Sequence, residues 1–114
     1  MLKIALWSLS LATLTACNAN CKPEPYRFDN GPDYVSDGLY RIVDCTGRMG
    51  FANIRHETVI APRYAFAYPF KAGVAKVTDS GHMEYVEGSD KEHTYFKSSH
   101  WYLIDKTGKK IKDL

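Results

Sequence analysis

Histidine, carboxylate and serine side chains move protons and hold metals, and in this 114-residue chain they crowd into one stretch. His82, Glu84, Glu87, Asp90, Glu92 and His93 fall within residues 81–99, which end in Ser98 and Ser99, and His100 follows directly. Imidazoles beside carboxylates suit metal binding or general acid–base work. The spacing argues against both. No pair of histidines has the short interval of a zinc site. If the arms either side of Ser89 and Asp90 pair as a hairpin, His82 and His93 need not share a face. Nothing near Glu84, Glu87 or Asp90 lifts the pKa of one carboxyl above another. Ser98 to His100 lack the Gly-x-Ser-x-Gly elbow, and neighbours on a strand point opposite ways. No glycine-rich phosphate loop is present. His56, His82, His93 and His100 therefore read as solvated strand residues. No catalytic residue, metal or cofactor is expected.

The remaining candidates are surfaces. Tyr85, Tyr95, Phe96, Trp101 and Tyr102 form an aromatic concentration, and aromatics dominate binding hot spots. They are a candidate contact surface for a protein or a glycan. The plainer reading puts Trp101 and Phe96 in the core with the tyrosines half-buried. Lys106, Lys109, Lys110 and Lys112 suit anionic headgroups or simply the solvated end of a hairpin. Formal net charge is only +2, without the clustered basic face that nucleic acid requires, so nucleic acid is excluded as a partner.

The chain opens with Lys3 and then an apolar run, Ile4 to Leu14, too short to span a bilayer, which takes about 20 residues. Leu14-Thr15-Ala16-Cys17 resembles a bacterial lipobox at all four positions. The resemblance implies a signal peptide over 1–16, cleavage before Cys17 and lipid on the Cys17 sulfur. A thiolate is the side chain nucleophilic enough to form that thioether. The competing reading is an ordinary secreted protein cut after Ala16 or Ala19. Asn18, rather than aspartate, follows the cysteine, which in lipoprotein families points to the outer membrane. Residues 17–33, with Pro23, Pro25 and Pro32, are expected as a solvated, lipidated tether. Cys21 and Cys45 are then left as a possible disulfide, since an exported chain matures in an oxidising compartment.

The elements that must carry these residues read as strands. With 45% hydrophobic residues the chain can bury a core, but its length allows one domain and not two. Val35-Ser-Asp-Gly38-Leu-Tyr-Arg-Ile42 and Phe70-Lys-Ala-Gly73-Val-Ala-Lys-Val77 share one pattern: an apolar residue, a glycine three positions on, then alternation. Turns follow at Asp44 to Gly47 and Asp105 to Gly108. Residues 81–99 look like an inserted long hairpin turning at Gly88 to Lys91.

Phe70, Gly73, Val74, Ala75 and Val77, then Trp101, Ile104, Asp105, Gly108 and Lys109, with Val59, Ile60, Pro62 and Tyr64, make the chain similar to the WG-repeat family. Its units are short β-meanders named for a Trp-Gly pair. Met49 stands in place of the first Trp and Tyr102 in place of the second Gly. Arg55-His56-Glu57 replaces the usual glycine-containing turn. The resemblance implies an all-β fold: a compact antiparallel meander of about two units over 34–114, with the inserted hairpin. The expected function is a membrane-anchored envelope lipoprotein acting as a binding module, probed against a small envelope enzyme using His and Glu of residues 81–99, or an inhibitor or immunity-type protein.

Overall fold

The structure, a computed structural model, describes residues 21–28, 31–89, 91 and 93–114. The leader, Cys17, Asp90 and Glu92 lie outside the described residues. Among the described residues all regular structure is β, and all pairing is antiparallel. In chain order the strands are β1 (Glu24–Pro25), β2 (Arg27–Phe28), β3 (Gly31–Pro32), β4 (Leu39–Val43), β5 (Met49–Asn53) and β6 (Thr58–Tyr64). They continue as β7 (Phe66–Ala67), β8 (Val74–Thr78), β9 (His82–Tyr85), β10 (Thr94–Lys97), β11 (Tyr102–Asp105) and β12 (Lys110–Asp113). One four-stranded sheet has the order β1-β4-β5-β6 and the other β7-β8-β11-β12. The hairpin β9–β10 is inserted between β8 and β11, and β2–β3 form a small hairpin of their own.

The two sheets are built alike because their turns are alike. Ser36 and Leu39 exchange two backbone hydrogen bonds around Asp37 and Gly38, whose φ values are 57° and 79°. Lys71 and Val74 do the same around Ala72 and Gly73, at 54° and 86°. Two successive positive φ values make a primed turn, whose twist suits the strand it launches. A second kind of turn recurs at three places along the chain. Asp44 Oδ1 accepts from the Thr46 amide, the Thr46 hydroxyl and the Arg48 amide at 2.9, 2.6 and 3.0 Å. Asp105 Oδ1 accepts from Thr107 and Lys109 in the same way at 2.9, 2.6 and 3.0 Å. Asn53 Oδ1 closes a third copy, over Arg55 and Glu57. There His56, at φ 64°, stands where Gly47 and Gly108 stand in the others.

Register makes the correspondence residue by residue. In the first unit Leu39 pairs with Asn53, Arg41 with Phe51 and Val43 with Met49. In the second, Val74 pairs with Asp105, Lys76 with Leu103 and Val77 with Tyr102. Leu39, Arg41, Met49 and Phe51 thus correspond to Val74, Lys76, Trp101 and Leu103. The opening strands match too: Pro25 pairs with Ile42 and Ala67 with Val77, and the Tyr26 and Tyr68 amides donate to the Arg41 and Lys76 carbonyls.

The units stack head to tail. Leu39, Met49 and Phe51 of the first pack in one cluster with Ala75, Val77 and Ile104 of the second, joined by Ile60, Tyr64, Ala67 and Phe70. Those contributions come from opposite faces of equivalent strands: the first unit's other face carries Tyr40, Ile42 and Ala52. Burying this apolar surface, at about 25 cal/mol per Å², is what holds two small sheets together.

Gly50 has a specific steric role. A Cβ there would lie 2.3 Å from the Ile60 carbonyl oxygen and 2.7 Å from the Pro62 nitrogen, because β6 bulges across it. At the equivalent position in the second unit, β12 meets Tyr102 in register through Asp113, and the tyrosine is half-buried against the shared core.

Residues 21–28 and 31–33, expected as part of a solvated tether, lie against the first sheet instead. Glu24 and Pro25 pair with Val43 and Ile42, as proline is allowed to do on an edge strand. Asp33 accepts from the Arg41 amide at 2.9 Å and from its guanidinium at 3.0 and 2.8 Å. Proline content alone suggested extended chain; the buried carboxylate–guanidinium pair is a long-range partner that composition does not reveal.

Candidate functional site

The stretch richest in chemistry-bearing residues forms the β9–β10 hairpin, with His82 opposite Lys97, Met83 opposite Phe96, Glu84 opposite Tyr95 and Tyr85 opposite Thr94. Alternation therefore separates a polar side from one bearing Met83, Tyr85 and Phe96. On the polar side Glu84 meets His82 at 2.7 Å, Lys97 at 3.7 Å and the Tyr95 hydroxyl at 3.5 Å. The His82 hydrogen bond, with Lys97 assisting, holds the Glu84 carboxyl below the usual range. A carboxylate kept ionised by a cross-strand cluster at an open surface is a structural ion pair, poorly placed to exchange protons near neutrality. His93 sits at the far end of the hairpin, its carbonyl accepting from the Val86 amide.

Ser98 and His100 are close in space but not as nucleophile and base. The Ser98 hydroxyl lies 2.6 Å from the Thr78 hydroxyl and donates to the His100 backbone carbonyl at 3.3 Å. The His100 ring turns away to Asp113, at 3.1 Å. Thr78 is fully buried and also donates to the His100 carbonyl, at 2.6 Å. These hydroxyls satisfy backbone where the inserted hairpin leaves and rejoins the sheet. Among the described residues no group of three His, Cys, Asp or Glu side chains is placed to hold a metal ion.

Cys21 and Cys45 are disulfide-bonded, with Cα atoms 5.4 Å apart. The bond ties the start of the described chain to the β4–β5 turn. Arg48 of that turn donates to the Asp79 carbonyl at 3.0 Å, so the disulfide and the inserted hairpin lie at the same end of the molecule.

Of the aromatic residues singled out, two come together. Phe96 and Trp101 have ring centroids 6.2 Å apart. Tyr85 and Tyr95 stay exposed on the hairpin, 57% and 42% accessible. Tyr102 faces the other way, donating to Asp79 at 2.6 Å; burial, then that hydrogen bond, pushes its phenol well above the ordinary range. The partners of Phe96 and Trp101 are Phe66 and Tyr68, which sequence reasoning left out. Phe66 stacks on Phe96 at 5.0 Å, and Tyr68 lies 5.5 Å from Trp101. The Lys76 ammonium sits 4.8 Å from the Trp101 ring centre and 5.6 Å from that of Tyr68. The period-2 spacing of Phe66 and Tyr68 was the available signal; their position opposite Thr78 and Lys76 came only from pairing.

Together these residues make the outer face of the second sheet. Tyr68, just beyond β7, lies side by side with Lys76 of β8, Leu103 of β11 and Lys112 of β12. An open groove of about 510 Å³ runs between Tyr68, Lys71, Val74, Lys76 and Leu103. Its electrostatics are cationic over an aromatic and aliphatic floor, so it suits a partner with apolar and oxygen-rich groups side by side. Comparison with protein-family models, curated proteins and solved structures gives no match to this chain.

Proposed function

We propose that this chain is a lipid-anchored bacterial envelope lipoprotein whose β domain, built of two units similar to WG repeats, acts as a binding module and not as an enzyme. The observation that carries the binding reading is the outer face of the second sheet, where half-buried Trp101 and Leu103 lie in one patch with exposed Tyr68 and Lys76. Large aromatics with a cation among them are the make-up of interaction hot spots. The His82, Glu84 and His100 side chains, in contrast, are engaged in ion pairs, and the Ser98 hydroxyl in a backbone bond.

The unit-by-unit register supports the family resemblance, since it sets Met49-Gly50 against Trp101-Tyr102. Each unit keeps one member of the Trp-Gly pair. The lipobox at Leu14 to Cys17 supports the anchor. Cys21 is four residues beyond Cys17, so the disulfide end of the domain would sit within about 14 Å of the lipidated residue. A domain held that close to a bilayer meets membrane-associated partners at high effective concentration.

The anchor is tested by feeding cells a labelled fatty acid and comparing the chain with its Cys17→Ala variant. Label and membrane partition should both be lost in the variant. A variant that still partitions with membranes defeats the lipoprotein reading. The binding role is tested by photo-crosslinking in cells from positions 85 and 103, where a discrete crosslinked protein is expected.

A further inference from the structure

We infer that the groove on the outer face of the second sheet seats an extended protein segment anchored by an aromatic side chain and flanked by carboxylates. This deepens the binding-module reading and rests on it. The chain already contains a filled version of the same groove. In the first unit the equivalent face, Leu39, Arg41 and Phe51, is covered by the segment that leads into the second unit. Phe70 of that segment packs edge-on against Phe51, with ring centres 4.6 Å apart. Arg41 donates to the Ala67 carbonyl at 3.1 Å, and the Ser36 hydroxyl donates to the Phe70 carbonyl at 2.5 Å. Two donors and an aromatic pocket thus grip an extended Ala-Tyr-Pro-Phe backbone.

Register carries those parts onto the open face. Arg41 becomes Lys76, Phe51 becomes Leu103, Leu39 becomes Val74 and Ser36 becomes Lys71. The aromatic companion is retained as well: the Arg41 guanidinium lies 4.6 Å from the Tyr26 ring centre, and the Lys76 ammonium 5.6 Å from that of Tyr68. Two features differ, and both set the preference. The hydroxyl of Ser36 is replaced by an ammonium, so both donors are charged. The first unit also holds Asp33 against Arg41, on an insertion between Phe28 and Ser36, whereas Phe70 runs directly into Lys71. The second groove therefore keeps its cations without a counterpart of Asp33, and an occupant bearing carboxylates supplies one. At the opposite end of the stack Tyr40, Ile42 and Ala52 are buried, and Pro32, Asp33 and Val35 line a cavity beside Tyr40. Stacked β units need both outer faces covered or made polar. Here one outer face is buried and the other carries the open groove.

The test uses the purified full chain and a fluorescent peptide with the sequence of residues 64–72 (Tyr-Ala-Phe-Ala-Tyr-Pro-Phe-Lys-Ala) carrying Lys71→Glu. Saturable binding by anisotropy is expected. Phe70→Ala in the peptide should weaken it at least tenfold, and so should Lys76→Glu or Leu103→Lys in the protein, with thermal melts showing that each variant folds. No binding up to about 1 mM, or equal binding of the Phe70→Ala peptide, overturns the inference. So does concentration-dependent self-association that Leu103→Lys abolishes, which would make the occupant a second copy. Binding to anionic vesicles that depends on Lys76 would make it a bilayer and overturn the inference equally. In cells, a crosslink from position 103 that the peptide competes away supports both this seat and the binding-module reading. A crosslink from position 85 alone defeats the seat and leaves the module. Silence from both positions defeats both.

Discussion

Asp33 and Arg41 form a bidentate ion pair at 2.8 and 3.0 Å, with side chains only 1% and 4% exposed. The same guanidinium then reaches the Ala67 carbonyl. One side chain therefore links the N-terminal segment, the first sheet and the start of the second unit. Removing one member of a buried pair leaves an uncompensated charge, which typically costs 3–5 kcal/mol. Arg41→Met is expected to lose about that much in urea unfolding. Arg41→Lys should recover only part of it, because an ammonium cannot reproduce the fork to both carboxylate oxygens. A loss below about 1 kcal/mol for Arg41→Met would place the pair at a solvated surface.

Gly50→Ala should be among the most damaging single-methyl changes in the domain. The new Cβ would meet the backbone of β6 at 2.3 Å, and backbone cannot swing aside as a long side chain can. A cost of about 2–3 kcal/mol is expected. The control is Gly47→Ala, where nothing lies within 4 Å and only the positive φ of 87° opposes the change. Equal melting temperatures for Gly50→Ala and the parent would show that β6 does not cross there.

Ala72 offers a gain. It holds φ 54° at the first central position of its turn, where an alanine Cβ is crowded by about 1 kcal/mol. Asp37 fills the same position in the first unit. Ala72→Asn should therefore raise stability by about 0.5–1 kcal/mol, since Asn-Gly is the favoured pair for a primed turn. Chemical denaturation of the two proteins checks this directly, and a loss would refute the turn assignment.

Asp105 should make the second unit acid-sensitive. The Thr107 hydroxyl and the Lys109 and Thr107 amides hold its carboxyl below the ordinary value. A depressed folded-state pKa contributes stability that is fully present above the unfolded value, about 3.9. That contribution is lost as pH falls from there through the folded value. Asp105→Asn should keep the turn, because Asn53 closes the same turn in the first unit. Its melting temperature should fall less steeply than the parent's below pH 4 and match it more closely near pH 3. Parallel curves would show that the Asp105 bonds do not differ between folded and unfolded chain.

The disulfide closes a loop with a sequence separation of 24 between Cys21 and Cys45. Cys21→Ser with Cys45→Ser should cost about 3 kcal/mol through the freed unfolded chain. Protection of residues 24–28 from hydrogen exchange should fall before that of β5 or β8, because their edge pairing depends on being held near β4.

Local chemistry made part of this legible from the chain alone. Strand alternation after Gly38 and Gly73, and the Asx turns at Asp44 and Asp105, depend on neighbours a few residues away. Residue types therefore suffice to foresee an all-β antiparallel chain with a recurring unit. The absence of a short histidine spacing was legible for the same reason. What the chain could not disclose was which face of each strand would be covered. Leu39 and Val74 follow the same turn, yet one is buried in the core and the other lines an open groove. Alternation states that two faces differ; only stacking decides which one meets a neighbour. The same holds for Tyr26 and Tyr68, and for Asp33 with Arg41. Their partnerships depend on pairing across the fold, where contact is set by register and closure rather than by proximity along the chain.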